Sequence, residues 1–265
     1  MEAFTFVYLP YLCMGIFFFG IAMRAFIWLK TPVPLRIVTT PAPKSWSGVI
    51  WRSIGDLLWF PNLFKSDKLL WGAGLLFHLA LWIVLLRHLR YFLYPLPTWV
   101  EGLQTLGLYG GYIIPLPVAF LLARRFLMDR LLYISILGDY FALLLLLTIT
   151  VSGLLLQLFF RTYVIDVKDM ILGLIHFRPR IPTVHWLFVV HLLSVLTLLA
   201  YFPFSKLLHA GGLLLSPTRY RRAIFEMRSV NPWDYPVLYH PENLSTPEKY
   251  AQSLKGAEKG GKECG

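Results

Sequence analysis

The chain has 265 residues, of which 57% are hydrophobic and only 15% charged, and its mean hydropathy is +0.61. A water-soluble domain carries roughly 25% charged residues, so this balance excludes an ordinary soluble protein. The net charge of +11 would fit a nucleic-acid binder, but the lysines and arginines lie in connections and in the C-terminal part, where they act as topology signals; no nucleic-acid partner is expected.

In chain order, five stretches reach the ~20 apolar residues needed to cross a hydrocarbon core: about 3–29, 69–93, 108–127, 134–160 and 185–208. The first, MEAFTFVYLPYLCMGIFFFGIAM, has neither a basic lead nor a small-residue cleavage site, so it is expected to be a retained helix. Residues 30–68 include TPVPLRIVTTPAPK, whose prolines oppose a regular helix. WRSIGDLLWFPNLF follows and is expected to lie along the interface. Residues 161–184 read as a second polar connection. Beyond residue 210 the chain turns polar, and NLSTPEKYAQSLKGAEKGGKECG has the composition of a disordered tail, or of an arm that orders on binding. The expected organisation is a membrane bundle over 1–212 and a polar tail over 213–265, with no internal repeat.

Eighteen lysines and arginines fall in the connection 30–68, in the turn holding Arg124, Arg125 and Arg130, and from Lys206 onward; six fall on the other side of the membrane. The positive-inside rule then places the N-terminus outside and the C-terminus in the cytoplasm. The two cysteines, Cys13 and Cys264, sit in a span and at the tail end, so no disulfide framework is implied. There is no C-x-x-C-H and no four-cysteine set. A metal in this chain has to be held by something other than thiolate.

Histidine is the alternative. His78 and His88 lie on the second span, in FHLALWIVLLRHLR, and His185, His191 and His209 lie on or beside the fifth. An ionisable residue inside a span is a functional hypothesis by default; the plainer explanation, an interhelical hydrogen bond, is worth ~0.6–2 kcal/mol. Two histidines on one helix facing two on another favour ligation. Antiparallel spans bring His78 opposite His209 and His88 opposite His191, and each pair would clamp one haem, for which neutral imidazole is an axial ligand. The spacings do not match: ten residues rise ~15 Å and eighteen rise ~27 Å. Pro203 supplies a kink or a helix break between His191 and His209, and His209 sits either on the span or on a short interfacial segment beyond it. His185 is the weaker alternative partner. His176 and His240 read as loop histidines. Arg87 and Arg90 either pair with haem propionates, whose carboxylates suit guanidinium forks, or snorkel to the headgroups. For Arg124, Arg125 and Arg219 topology is the simpler explanation.

The paired histidines at spacings of ten and eighteen resemble the dihaem cytochromes b of the NarI family, the gamma subunit of respiratory nitrate reductase. TPVPLRIVTT, LLYISILGDYFALLLL, AYFPFSKLLHAGGLLLSPTR and VNPWDYPV further resemble the DsrM branch, membrane cytochromes linked to dissimilatory sulfite reductase. The resemblance implies an all-α, five-span bundle in the cell (inner) membrane. It also implies two b haems, with His78 and His209 holding the inner one and His88 and His191 the outer one. It further implies exchange of electrons between menaquinol and a cytoplasmic iron–sulfur subunit resembling heterodisulfide reductase. Further membrane and cytochrome c subunits are expected partners, beside membrane lipid. The nitrate-reductase relatives carry a lysine near the quinol head after the second span. TWVEGLQTLGLYGGY, residues 98–112, has none; Glu101, Gln104, Tyr109 and Tyr112 are the candidates to orient or deprotonate a quinol. The basic run RYRRAIFEMR, from Arg219 to Arg228, is either a docking surface or a contact for anionic lipid. Rival functions are a cytochrome b of another respiratory complex, a haem-free proton-linked transporter, and a haem-free anchor.

Overall fold

The computed structural model describes residues 2–31, 43 and 45–215. By Cα proximity the chain divides into two units, Met1–Pro32 with Gly55–Ser216, and Val33–Ile54 with Pro217–Gly265. Of the second, the described part is Pro43 and the residues from Ser45 that begin an amphipathic helix, α2 (Trp46–Leu58). The tail beyond Leu215, with Arg219, the rest of the basic run and His240, lies outside the described residues.

The first unit is all-helical among the described residues, and five of its helical stretches are long and apolar enough to cross a membrane: Phe4–Lys30, Lys68–Tyr91, Gln104–Leu127, Leu137–Leu158 and Trp186–Phe204. They coincide within about four residues with the five expected spans; the third begins earlier, at Gln104, and the fifth ends earlier, at Phe204. Helices suit these segments because a spanning chain has to satisfy every backbone N–H and C=O internally. The first span opens on a π-helical turn (Phe4–Tyr8) and continues as α1 (Leu9–Lys30). A short helix, α3 (Pro61–Ser66), leads into α4 (Lys68–His88). After α5 (Thr98–Gly102), the third span is α6 (Gln104–Ile113) running into α7 (Pro115–Leu127), with Pro115 at a first helical position where its missing N–H costs nothing. Next come α8 (Asp129–Ile134) and α9 (Leu137–Leu158).

The connection 161–184 is not simply polar. It contains α10 (Val164–Ile175), whose Val167 and Met170 are buried with Phe6, Leu156, Leu187 and Phe188. Val164, Val167, Ile171 and Leu174 recur at helical spacing, which the charged residues between them (Asp166, Lys168, Asp169) conceal in a reading of average polarity. Tyr11 ties this helix to α1 by donating its hydroxyl to the Leu174 carbonyl at 2.7 Å.

The fifth span is α11 (Trp186–Tyr201); it breaks at Pro203 into two 3-10 turns and restarts as α12 (His209–Leu214). The break has specific partners. The Pro203 carbonyl accepts from Arg24 Nε at 3.2 Å, and Pro203 itself is buried against α1 at Gly20. A methyl group at Gly20 would stand 2.6 Å from Pro203 Cβ, and the proline ring cannot rotate away. Small residues let helix backbones approach closely where no hydrophobic effect drives association.

Within the bundle α4 packs on α6 and α7, while α11 packs on α9 and α1. α4, which carries His78 and His88, and α11, which carries His191, have no extensive packing with each other. Gly20→Ala is expected to force α1 and the Pro203 turn apart and to lower stability by ~1–3 kcal/mol, the range for overpacking. Thermal unfolding of the detergent-solubilised protein, followed by tryptophan fluorescence, checks it.

Candidate functional site: paired histidines between helices

His78 and His209 come together. Their ring centres are 5.9 Å apart and their planes nearly perpendicular, at 82°. For comparison, a metal–imidazole bond of ~2.0–2.1 Å, the zinc value, places two imidazoles on opposite sides of one ion with ring centres about 6 Å apart. His78 Nδ1 lies 2.7 Å from the Gly74 carbonyl one turn back on α4. A carbonyl only accepts, so Nδ1 carries the proton and Nε2 keeps its lone pair. The His78 ring also lies against Phe60 and Phe77, each with ring centres 5.1 Å away. Phe60 holds left-handed backbone angles (φ 47°) at the turn into α3, which swings its ring toward α4. His209 is exposed at the start of α12, and Gly211 fits under the Trp28 ring of α1.

His88, on α4, and His191, on α11, are both half-buried. His88 repeats the His78 pattern, with Nδ1 2.7 Å from the Val84 carbonyl. His191 differs: its Nδ1 is bonded across to α9, to the Ile149 carbonyl at 3.1 Å and the Ser152 hydroxyl at 3.0 Å. Ser152 is buried and also donates to Ile149 at 3.1 Å. Gly153 is the next residue, and a methyl group there would stand 3.1 Å from His191 Cε1. The sequence TVSGL in an otherwise apolar span is the signal for this second shell, since polar residues inside spans are rarely idle.

The other histidines have local duties. His185 caps α11, its Nδ1 accepting from the Leu187 N–H at 3.3 Å, and stacks on Phe160 at 4.4 Å. His176 is exposed at the end of α10 and bonds the Leu172 carbonyl at 2.8 Å.

Two arginines follow His88. Arg87 donates to Gln157 Oε1 of α9 at 3.1 Å, but its buried Nε has no hydrogen-bond partner. Gly107 of α6 leaves the space that the Arg87 stem occupies. Arg90 donates to Gln104 Oε1 at 2.9 Å, and Gln104 in turn donates to the Val100 carbonyl at 3.1 Å. Gln104 therefore sits with the arginines, on a helix and not in a loop. Tyr109 and Tyr112 lie on an exposed face of α6, edge to face at 6.4 Å, and Glu101 is exposed in α5. Of the four quinol candidates, Gln104 is bonded to Arg90, while Glu101, Tyr109 and Tyr112 are exposed.

A bis-histidine haem asks for two Nε2 lone pairs per iron and a cation for its propionates; the remaining four ligands come from the porphyrin. His78, His88 and His191 present Nδ1-anchored rings, and the Arg87 Nε is an orphaned buried donor. No cluster of three or more His, Cys, Asp or Glu that could hold a metal ion stands among the described residues. The residues fit the group.

Residues 61–229 match the family described as nitrate reductase gamma subunit. The chain belongs to that family. The matched region includes four of the five spans and all four paired histidines. Two curated relatives are similar over most of their length. Each is named Hdr-like menaquinol oxidoreductase cytochrome b-like subunit. The one from Archaeoglobus fulgidus is 34% identical over 86% of this chain and 82% of its own. The one from Archaeoglobus profundus is 33% identical over 87% and 83%. Family and helices together make this a multi-pass membrane protein.

The position of His78 depends on how α4 begins. Asp67 caps it, Oδ1 accepting from Leu70 N–H at 2.9 Å, while Oδ2 takes Arg124 of α7 at 2.6 Å. Asp67→Ala is expected to lose both and to cost ~1–3 kcal/mol; Asp67→Asn, which keeps a capping oxygen, is expected to cost less. Thermal unfolding of the two variants side by side checks the order.

Proposed function

We propose that this chain is the dihaem b subunit of a menaquinol-linked respiratory complex of sulfur metabolism, of the DsrM type. The observation that carries the reading is the ring-to-ring approach of His78 and His209, with the His78, His88 and His191 imidazoles anchored through Nδ1 so that Nε2 stays free. The names of the two relatives support the menaquinol side. The excess of basic residues supports an N-terminus outside and a C-terminus in the cytoplasm, in the cell membrane. The electron partner is then a cytoplasmic iron–sulfur subunit of the heterodisulfide-reductase kind, with further membrane and cytochrome c subunits in the same assembly.

When bound, haem supplies one-electron transfer through the bilayer. The chain's part is to bind, orient and insulate. His78 and His209 hold the inner haem, and His88 and His191 hold the outer one. Anchoring the Nδ1–H of His78, His88 and His191 to a carbonyl fixes these rings and raises their basicity as ligands. Arg87, through its unpartnered Nε, and Arg90 neutralise propionates. Quinol oxidation takes place on the outer side, where Gln104 links Arg90 to the segment bearing Glu101, Tyr109 and Tyr112. A carboxylate at Glu101 accepts the quinol proton for release outward.

The test is a reduced-minus-oxidised spectrum with a pyridine haemochrome count. Two b haems per chain are expected, with one lost in His78→Ala or His209→Ala and the other lost in His88→Ala or His191→Ala. A folded, haem-free preparation would leave the transporter or the anchor. The Ser152 bond yields a further prediction. Ser152→Ala removes one acceptor from His191 Nδ1–H, so the imidazole becomes a poorer donor to iron. The midpoint potential of the outer haem alone is expected to rise in a spectroscopic redox titration, with the haem count unchanged.

A further inference from the structure

Away from the histidines, three elements converge on one carboxylate. Asp139, in the first turn of α9, is buried and accepts from the Ile136 N–H at 3.2 Å. Its Oδ2 also takes Lys206 Nζ, from the turn after the Pro203 break, at 2.9 Å. Arg125, at the end of α7, lies 3.5 Å away and donates to Ser135 Oγ at 2.7 Å. Two cations meet one anion, so among the described residues one positive charge is left over. Cap and ion pair account for Asp139 and one of the cations; they do not account for the second.

Beside this trio is a cavity of about 210 Å³, lined by Arg125, Asp139, Lys206 and Ser205 on its polar part. Its remaining wall is mostly apolar, with Ile136, Leu143, Phe204 and Leu207, and Tyr201, whose hydroxyl donates to the Gly138 carbonyl at 3.1 Å. At ~30 Å³ per water in the liquid, the space exceeds a hydration shell for one lysine and is large enough for a phosphate group. The cavity lies where α9 begins at Leu137, at one end of a membrane-spanning helix, the depth of lipid headgroups. Lys206 is two-thirds exposed, its side chain retaining 67% of its accessibility, whereas Asp139 retains 7%. The ammonium therefore has donors to spare toward the cavity mouth while holding the carboxylate beneath it.

We propose that this cavity binds a phosphate group, that of an anionic phospholipid, with Lys206 and Arg125 as its ligands and the apolar wall against the acyl chains. The excess charge selects an anion, the apolar wall selects an amphiphile, and Asp139 holds the two cations in place. A neutral quinone ring satisfies the wall but leaves the charge uncompensated.

The test uses the full-length protein. Phospholipid retained after purification and reconstitution is counted by native mass spectrometry in nanodiscs of phosphatidylcholine with and without phosphatidylglycerol. Wild type is expected to retain one phosphatidylglycerol in about tenfold preference to phosphatidylcholine, roughly the worth of one charge-assisted hydrogen bond. Lys206→Gln and Arg125→Gln are each expected to abolish the preference, and Lys206→Arg to keep it. The retained tryptophan fluorescence and gel-filtration profile of each variant separate lost binding from lost fold. Stabilisation by millimolar inorganic phosphate equal to that by the lipid would assign the same site to free phosphate. Equal retention of both lipids by wild type, an undiminished preference in both glutamine variants, or displacement of the lipid by a short-chain naphthoquinone would overturn the proposal.

Discussion

An imidazole inside a hydrocarbon layer has two nitrogens to satisfy and no water to do it with. The arrangement of this bundle follows from the way that demand is met. His78 and His88 each give one nitrogen to the carbonyl a turn back on their own helix, so their rings lie along α4 with the other nitrogen pointing away from that bond. His191 reaches instead to α9, and thereby fixes α11 to its neighbour. The helices that carry the paired histidines are thus each braced against other members of the bundle, α4 on α6 and α7 and α11 on α9 and α1. The ring-to-ring contact of His78 is with His209 of α12, and no packed seam joins α4 to α11.

The same economy governs the helix ends. The carbonyl freed by the Pro203 break is taken by Arg24, the first turn of α4 by Asp67, and the first turn of α9 by Asp139. Both carboxylates also hold a cation from another element, Arg124 in one case and Lys206 with Arg125 in the other. Each acid therefore finishes a helix and ties it to a second one. This is also why the polar residues of the chain gather at span ends, and why Gln157 and Ser152, within α9, stand out: they serve Arg87 and His191.

The break at Pro203 reconciles two spacings that one straight helix cannot. Ten residues separate His78 from His88 and eighteen separate His191 from His209. By ending α11 at Tyr201 and restarting at His209, the chain turns the longer spacing into two independent placements. His209 then reaches His78 from a short helix seated beside Trp28, while His191 stays in the regular part of the span.

The five spans, each within about four residues of its ends, were legible in the sequence because hydrocarbon imposes a length and an apolarity that composition records directly. The pairing of His78 with His209 and the break at Pro203 were legible too, since spacing and proline chemistry act locally. Three features were not. α10 is hidden because its apolar face is interleaved with Asp166, Lys168 and Asp169, and it is the burial of Met170 against Phe6 and Phe188 that exposes it. Arg124 and Arg125 looked like topology signals because a charge count is blind to distance; their carboxylate partners lie 57 and 14 positions away, at Asp67 and Asp139. Ser152 and Gly153 serve His191 from another helix. The sequence by itself determined which segments enter the membrane and which residues are able to ligate, because those are properties of single segments. Only the tertiary structure decided which polar group satisfies which, and which one, the Arg87 Nε, has no partner among the described residues, because a buried donor can take only the acceptor that packing places beside it.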